Sequence, residues 1–195
     1  MPKIREIIEN FVIDLIETIA ISASIFVIVY FFAFQPHEVS GVSMNGNDGF
    51  HSGQYILTDK FTYRLREPKR GEVIVFKYPL NTSYDYIKRI IALPGERIQL
   101  KNNQVILYNA QNANGLVLDE SKYLAPNTPT AGRDFINEGD IVTVPKDNYF
   151  VMGDNRKESS DSRVWGFVPK EDIIGKSFFR YWPFTEIGLI KNPLQ

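Results

Sequence analysis

Cysteine is missing from this chain of 195 residues. Its absence excludes disulfides, cysteine-ligated zinc and a thiol nucleophile. Histidine is scarce: only His37 and His51 occur, and no His-Glu-x-x-His pattern contains them. A histidine-based metal centre is therefore not expected, and neither is a cofactor. Charge of one sign is also lacking. Twenty-two Lys and Arg stand against 23 Asp and Glu, for a net charge of −1, which leaves no electrostatic footprint for a general nucleic-acid binder. Internal repeats and low-complexity tracts are absent, and no long helical period occurs after residue 36.

The N-terminal region is the exception. Ile4, Ile7, Ile8, Phe11, Val12, Leu15, Ile16 and Ile19 recur at helical spacing, with Arg5, Glu6, Glu9, Asp14 and Glu17 on the other face. From Ile19 to Phe34 the chain is almost wholly apolar. Counted from Leu15, the run makes ~30 Å of helix, about one hydrocarbon core. We expect a cytoplasmic amphipathic segment at 1–14, a transmembrane anchor at 15–35 with Pro36 marking its exit, and an extracytoplasmic domain at 36–195. Lys3 and Arg5 precede the span, and no Lys or Arg follows until Lys60. That asymmetry places the N-terminus in the cytoplasm of a single-pass plasma-membrane protein. Asp14 and Glu17 then belong at the hydrated cytoplasmic interface.

Beyond Pro36 the chain breaks into short runs rich in Val, Ile, Tyr and Phe, punctuated by Gly, Pro, Asn and Asp. Strands are expected over 54–60, 72–78, 85–93, 97–101, 104–108, 141–144, 148–152 and 173–182. Lys101-Asn102-Asn103-Gln104 reads as a hairpin turn, since Asn tolerates positive φ. The polar stretch 109–139 reads as an excursion or small, mobile subdomain. The expected fold is mostly β: one compact antiparallel sheet domain behind one transmembrane helix.

Three segments interrupt this background. Gly41-Val42-Ser43-Met44 follows the span, and a lone Gly-x-Ser is usually a turn. Lys88 interrupts the apolar strand Tyr86-Ile87-Lys88-Arg89-Ile90-Ile91. Alternation puts Tyr86, Lys88 and Ile90 on one face and Ile87, Arg89 and Ile91 on the other. Such a lysine is either an edge residue reaching water or one held dry enough to lose its proton. The block Gly153-Asp154-Asn155-Arg156-Lys157-Glu158-Ser159-Ser160-Asp161-Ser162-Arg163 is dense in hydrogen-bonding groups, which a solvated loop would also be.

Together these segments resemble the bacterial-type signal peptidase I family of serine proteases. The match is Gly-x-Ser-Met behind a membrane span, Tyr-Ile-Lys-Arg-Ile-Ile-Ala-Leu-Pro-Gly-Glu over 86–96, and Gly-Asp-Asn-Arg-x-x-Ser-x-Asp-Ser-Arg over 153–163. The resemblance implies a β fold shared with the repressor proteases. It implies a membrane-bound serine endopeptidase that removes signal peptides from exported preproteins, cutting after small residues through an acyl-enzyme. Ser43 would be nucleophile and Lys88 general base. Ser159 would orient Lys88, while Arg89 pairs with Asp154 and Asp161 with Arg163. The Ser43 N–H would serve the oxyanion. Met44 and Ile87 are candidate pocket walls. The implied partners are preprotein signal peptides and the lipid bilayer; the protein is expected to be monomeric and to bind no nucleic acid.

A free lysine has a pKa near 10.4, so only about 1 in 2,500 would be neutral at pH 7. Burial among Ile87, Ile90 and Ile91 would penalise the ammonium. The chain departs from the family pattern after Met44, where Pro-Thr gives way to Asn45-Gly46-Asn47-Asp48-Gly49 and about two residues are inserted. Two glycines suggest a looser nucleophile turn. That departure supports one alternative, a catalytically impaired membrane-tethered β-domain that binds signal peptides or envelope proteins. A self-cleaving Ser/Lys protease is a further alternative, and His51 is a competing base.

Overall fold

A computed structural model describes residues 2–47 and 49–194. One helix, α1 (Pro2–Ala33), runs without a break through the expected division at residue 14. From Lys3 to Ile28 it is long and apolar enough to cross a membrane, and nothing in the protein covers it. Among its described side chains the Ile, Val and Phe residues are exposed, as Ile4, Phe11, Ile19 and Phe26 illustrate. Apolar surface of this extent would be costly in water, and a bilayer accommodates it.

The sheet begins earlier than the sequence suggests. β1 (Phe34–Glu38) follows α1 directly and includes Pro36. It pairs antiparallel with β2 (Tyr55–Asp59) at the edge of its sheet, where a residue without an N–H is tolerated. Pro36 therefore lies inside a strand, and the chain enters the sheet as soon as it leaves the helix.

β3 (Val73–Lys77), β4 (Asp85–Ala92), β9 (Asn148–Met152), β10 (Val168–Pro169), β11 (Ile173–Trp182) and β12 (Gly188–Leu189) complete this sheet. The strand order is β1-β2-β11-β3-β4-β9-β10, with β12 on β11. Residues facing both ways along β3 are buried: Val73 and Val75 in one apolar cluster, Ile74 and Phe76 in another. A second sheet, ordered β7-β6-β5-β8, comprises β5 (Arg97–Lys101), β6 (Gln104–Tyr108), β7 (Leu116–Val117) and β8 (Ile141–Thr143). Asn102 and Asn103 both take positive φ at the β5–β6 turn, where Lys101 faces Gln104. Ile98, Leu100, Val105 and Leu107 pack from this sheet onto Ile91, Phe150 and Met152. Two one-turn α-helices, α2 (Thr62–Leu65) and α3 (Ser162–Trp165), and two 3-10 turns, Lys170–Asp172 and Phe184–Glu186, complete the element list.

The stretch 109–139, expected as an excursion or small subdomain, is packed onto the rest of the domain. It supplies β7, and Tyr123 and Ile136 are fully buried. Glu120 makes a bidentate pair with Arg156, at 2.5 and 2.9 Å. Tyr123 lies under the Arg89 guanidinium, 4.4 Å from ring centroid to guanidinium carbon. The polar composition of the stretch is used for docking rather than for solvation.

Arg156 is 1% exposed, so Glu120→Ala would leave a buried cation without its carboxylate. We expect a loss of about 3 kcal/mol in unfolding free energy, measured by chemical denaturation. A change within 0.5 kcal/mol, the range of ordinary surface substitutions, would contradict the docking.

Candidate active site

Ser43 follows the extension of β1, and Lys88 lies in the middle of β4. The fold brings them together: Lys88 Nζ donates to Ser43 Oγ at 2.8 Å. Nζ also donates to the Ile87 carbonyl at 2.9 Å and sits 5.2 Å from the centre of the Tyr86 ring. Lys88 is 3% exposed. Burial lowers its pKa to about 8, although the Asp161 and Asp154 carboxylates pull in the other direction. A lysine in that state supplies roughly one neutral amine in ten at pH 7.

The residue on the opposite face of β4 does structural work. Arg89 forms a bidentate pair with Asp154, Nε–Oδ1 2.9 Å and Nη2–Oδ2 2.6 Å, and also donates to the Gly71 carbonyl. Asp161 and Arg163 form a second bidentate pair, with both contacts at 2.8 Å. Burial alone would raise the Asp161 carboxyl, but the Arg163 guanidinium holds it below its ordinary value. Asp161 also accepts from the Gly153 N–H and caps α3 through the Arg163 N–H. Buried charges persist when their hydrogen bonds are satisfied in this way.

Ser159 lies beside this arrangement, fully buried. The hydrogen bond to Lys88 implied for it is not made here: Nζ donates to Ser43 and Ile87, while the Ser159 hydroxyl acts on the Asp161 carboxylate and helps hold its pKa down. It is nevertheless packed at the site. A Cβ on Gly153 would meet both Ser159 Oγ and the Ser43 carbonyl at 2.3 Å, so glycine alone permits the approach.

Two further expectations change. Met44 is not a pocket wall; it is 1% exposed and packs with Val39, Phe50 and Ile56 in the core. The turn after Ser43 is not loose either. Asn155 N–H donates to the Ser43 carbonyl, Asn47 N–H to the Tyr123 carbonyl, and Asn47 Nδ2 to the Leu124 carbonyl. Docking against 109–139 thus replaces the rigidity of the missing proline. Asp48, also in this insertion, lies outside the described residues. His51 is exposed and makes no bond to Ser43; its N–H donates to Gln54.

Ser43 and Lys88 line a cleft of about 450 Å³. Residues 37–43 form one wall and residues 84–88 the other, with Ile56 and Val75 adding apolar surface and Glu158 and Ser160 the remaining edge. Ile87 also lines the cleft, although alternation along β4 puts it on the face opposite Lys88. His37 and Asp85, 3.7 Å apart, face each other within it. No group of His, Asp or Glu among the described residues could hold a metal ion. Sequence reasoning missed Glu120 and Tyr123, which support the site from far along the chain and carry no local motif, and it read Asn47 as part of a loose turn rather than as a docking contact.

Residues 12–182 match the family described as signal peptidase, peptidase S26. The chain belongs to this family. It is 36% identical to signal peptidase I of Bacillus amyloliquefaciens over 184 residues, covering 92% of this chain and 93% of that one. It is 39% identical to a probable signal peptidase I-2 of Synechocystis over 142 residues, covering 70% of this chain and 59% of that longer protein. Signal peptidase IB of Staphylococcus aureus strain MRSA252 is 32% identical, covering 93% and 95%. A crystal structure of a signal peptidase I from Enterococcus faecalis V583 is 28% identical, with a TM-score of 0.45, covering 57% of this chain and 97% of that one.

Within this signal peptidase fold, a Cβ at Gly46 would lie 2.8 Å from the Tyr123 carbonyl and 2.9 Å from Asp154 Cβ. Gly46→Ala is expected to displace the turn that carries Ser43 and, if Ser43 reacts with substrate, to lower kcat at least about tenfold, the scale expected for a misplaced reacting group. Gly188→Ala, where the added carbon meets nothing within 4 Å, is the control and should retain full activity. Lys88→Met removes a cation that folding holds at a pKa below its unfolded value. That depression disfavours the folded state below pH 8, and the penalty fades as pH rises from about 8 towards 10.5. Lys88→Met should therefore unfold at higher denaturant than wild type at pH 7, by as much as about 3 kcal/mol, with the gain shrinking above pH 8. Equal stability at both pH values would contradict it.

Proposed function

We propose that Ser43 is the nucleophile and Lys88 the general base of a membrane-bound endopeptidase that removes signal peptides from preproteins. The observation that carries this reading is the 2.8 Å contact between Lys88 Nζ and Ser43 Oγ inside the cleft. Ser43 Oγ attacks the scissile carbonyl carbon as neutral Lys88 takes its proton. The developing oxyanion is met by the Ser43 N–H, which has no acceptor among the described residues. The tetrahedral intermediate collapses, Lys88 returns the proton to the leaving amine, and the mature protein departs. Water, deprotonated by Lys88, then hydrolyses the Ser43 ester and releases the signal peptide.

Substrate enters as an added strand. β4 pairs with β3 along Asp85–Arg89, but its pairing to β9 begins only at Arg89. On their other edge residues 85–88 have no strand partner among the described residues, and that edge borders the cleft. An extended segment hydrogen-bonded there would send alternate side chains into the cleft. Ile56, Val75 and Ile87 offer it apolar walls and limited room, which suits small side chains near the cut. Arg89, Asp154, Asp161 and Arg163 hold the frame around Lys88, and Ser159 packs beneath it as a positioning residue. The N-terminal helix anchors the enzyme, with the amino terminus cytoplasmic and residues 36–195 on the outer side. The enzyme works as a monomer, since nucleophile and base come from one chain.

Purified full-length protein should cut a preprotein at its signal-peptide junction. Ser43→Ala and Lys88→Ala should each lower kcat by at least about a thousandfold while remaining folded. Cleavage persisting in either variant would refute the dyad.

A further inference from the structure

The two walls of the cleft approach each other at two places. Lys88 on β4 meets Ser43 at 2.8 Å, and three residues back along the same strand Asp85 Oδ2 lies 3.7 Å from His37 Nε2. Three strand residues span about 10 Å. The facing wall runs six residues between the same two contacts, from His37 to Ser43, up to roughly 20 Å of extended chain. The longer wall therefore has to bow outwards, and it bends at Gly41, whose φ is 86°. The cleft of about 450 Å³ is the space under this bow. The Ser43–Lys88 pair closes one end of it, and His37 and Asp85 close the other.

The far end differs chemically from the apolar middle. His37 is held from behind, its Nδ1 hydrogen-bonded to Thr58 Oγ1 on β2 at 3.0 Å. Burial lowers the pKa of His37, although the Asp85 carboxylate pulls the other way. The ring is therefore mostly neutral at pH 7 and leaves the charge of Asp85 to the cleft. Lys77 Nζ donates to Asp85 Oδ1 at 2.7 Å, but Lys77 does not line the cleft. Glu38, next to His37, adds a second carboxylate, and its contact is with a neutral donor, the Tyr55 hydroxyl. Among the described residues lining the cleft, Lys88 is the one Lys or Arg, and it sits at the opposite end.

A substrate strand added along residues 85–88 advances one residue for each residue of β4. With the scissile carbonyl at Ser43, opposite Lys88, the substrate residue opposite Asp85 is the fourth before the cut. There the walls come together and the substrate main chain has to leave the groove. We infer that His37 and Asp85 are specificity-determining residues, which end the extended register at the fourth residue before the cut and favour Lys or Arg over Asp or Glu there. His37 is the neutral stop, and Asp85 with Glu38 supplies the charge. The inference rests on the reading of Ser43 and Lys88 as the reacting pair.

The test gives full-length protein in detergent three peptides that differ only at the fourth residue before the cut, which is Lys, Ala or Glu. The expected order of kcat/KM is Lys, Ala, Glu, with Lys and Glu about fivefold apart, the upper range for one partly exposed charge pair. The difference should lie in KM. The readout is the Lys/Glu ratio within each protein, so a general loss of activity in a variant cancels. D85N should bring that ratio below about twofold. High salt should shrink it in wild type, which tests the charge without any variant. The same exchange at the eighth residue before the cut should change kcat/KM by less than about twofold. H37A tests the stop: extending a peptide from four to six residues before the cut should raise kcat/KM more in H37A than in wild type. Equal cleavage of the three peptides by wild type, a ratio unchanged in D85N, an equal effect at the eighth residue, or an equal gain from extension in wild type and H37A would each overturn the proposal. Failure of wild type to cleave any peptide would refute the reacting pair instead. Binding of the same peptides to Ser43→Ala, by fluorescence anisotropy, then decides: tighter binding of the Lys peptide upholds the inference and equal binding overturns it.

Discussion

The site depends on keeping one lysine out of water. An ammonium in water is useless as a base at neutral pH, and an ammonium in a dry site is costly to the fold. Lys88 is placed between these limits. Its strand buries it, its pKa falls to about 8, and the carboxylates of Asp161 and Asp154 stop it falling further. Those carboxylates are themselves buried and would be unstable as lone charges. Arg163 and Arg89 answer them with bidentate pairs. The third buried arginine, Arg156, leaves the same loop for Glu120 and so joins the site to the 109–139 stretch. A dry lysine is thus bordered by a polar network, and through Glu120 the network reaches the 109–139 stretch.

The same logic explains why the turn after Ser43 can dispense with proline. Proline would stiffen it through the unfolded chain. Here stiffness comes from contacts: Asn155 on the Ser43 carbonyl, and Tyr123 and Leu124 accepting from Asn47. The ordered turn removes the ground for an impaired, binding-only relative. Met44 anchors it from inside, packed against Phe50 and Ile56.

Much of this was legible in the sequence. All eight strands anticipated from β-branched and aromatic runs are present, because those runs are long enough to bury both or alternate faces. β1, β7, β10 and β12 were not anticipated. β1 carries Gln, Pro, His and Glu and owes its pairing to β2 rather than to propensity; the other three are two residues long. Ser43 and Lys88 could be named because the family motif surrounds them, and their meeting requires pairing between strands that sequence spacing does not encode. Glu120 and Tyr123 could not be named. Their partners lie 36 residues or so away, and a carboxylate in a polar stretch looks solvated until the fold shows the guanidinium it faces. Ser159 is the reverse case, conspicuous in its motif yet not bonded to Lys88 in the structure.

The most direct test of a burial-tuned Ser/Lys pair is the pH dependence of kcat/KM on a peptide substrate, which reports the ionisation of the free enzyme. A base with a pKa of about 8 predicts activity rising through pH 8, and falling about tenfold per unit well below it. An activity that is flat from pH 6 to 9, or that follows an ionisation near 6.5, would contradict the account and point to a different base.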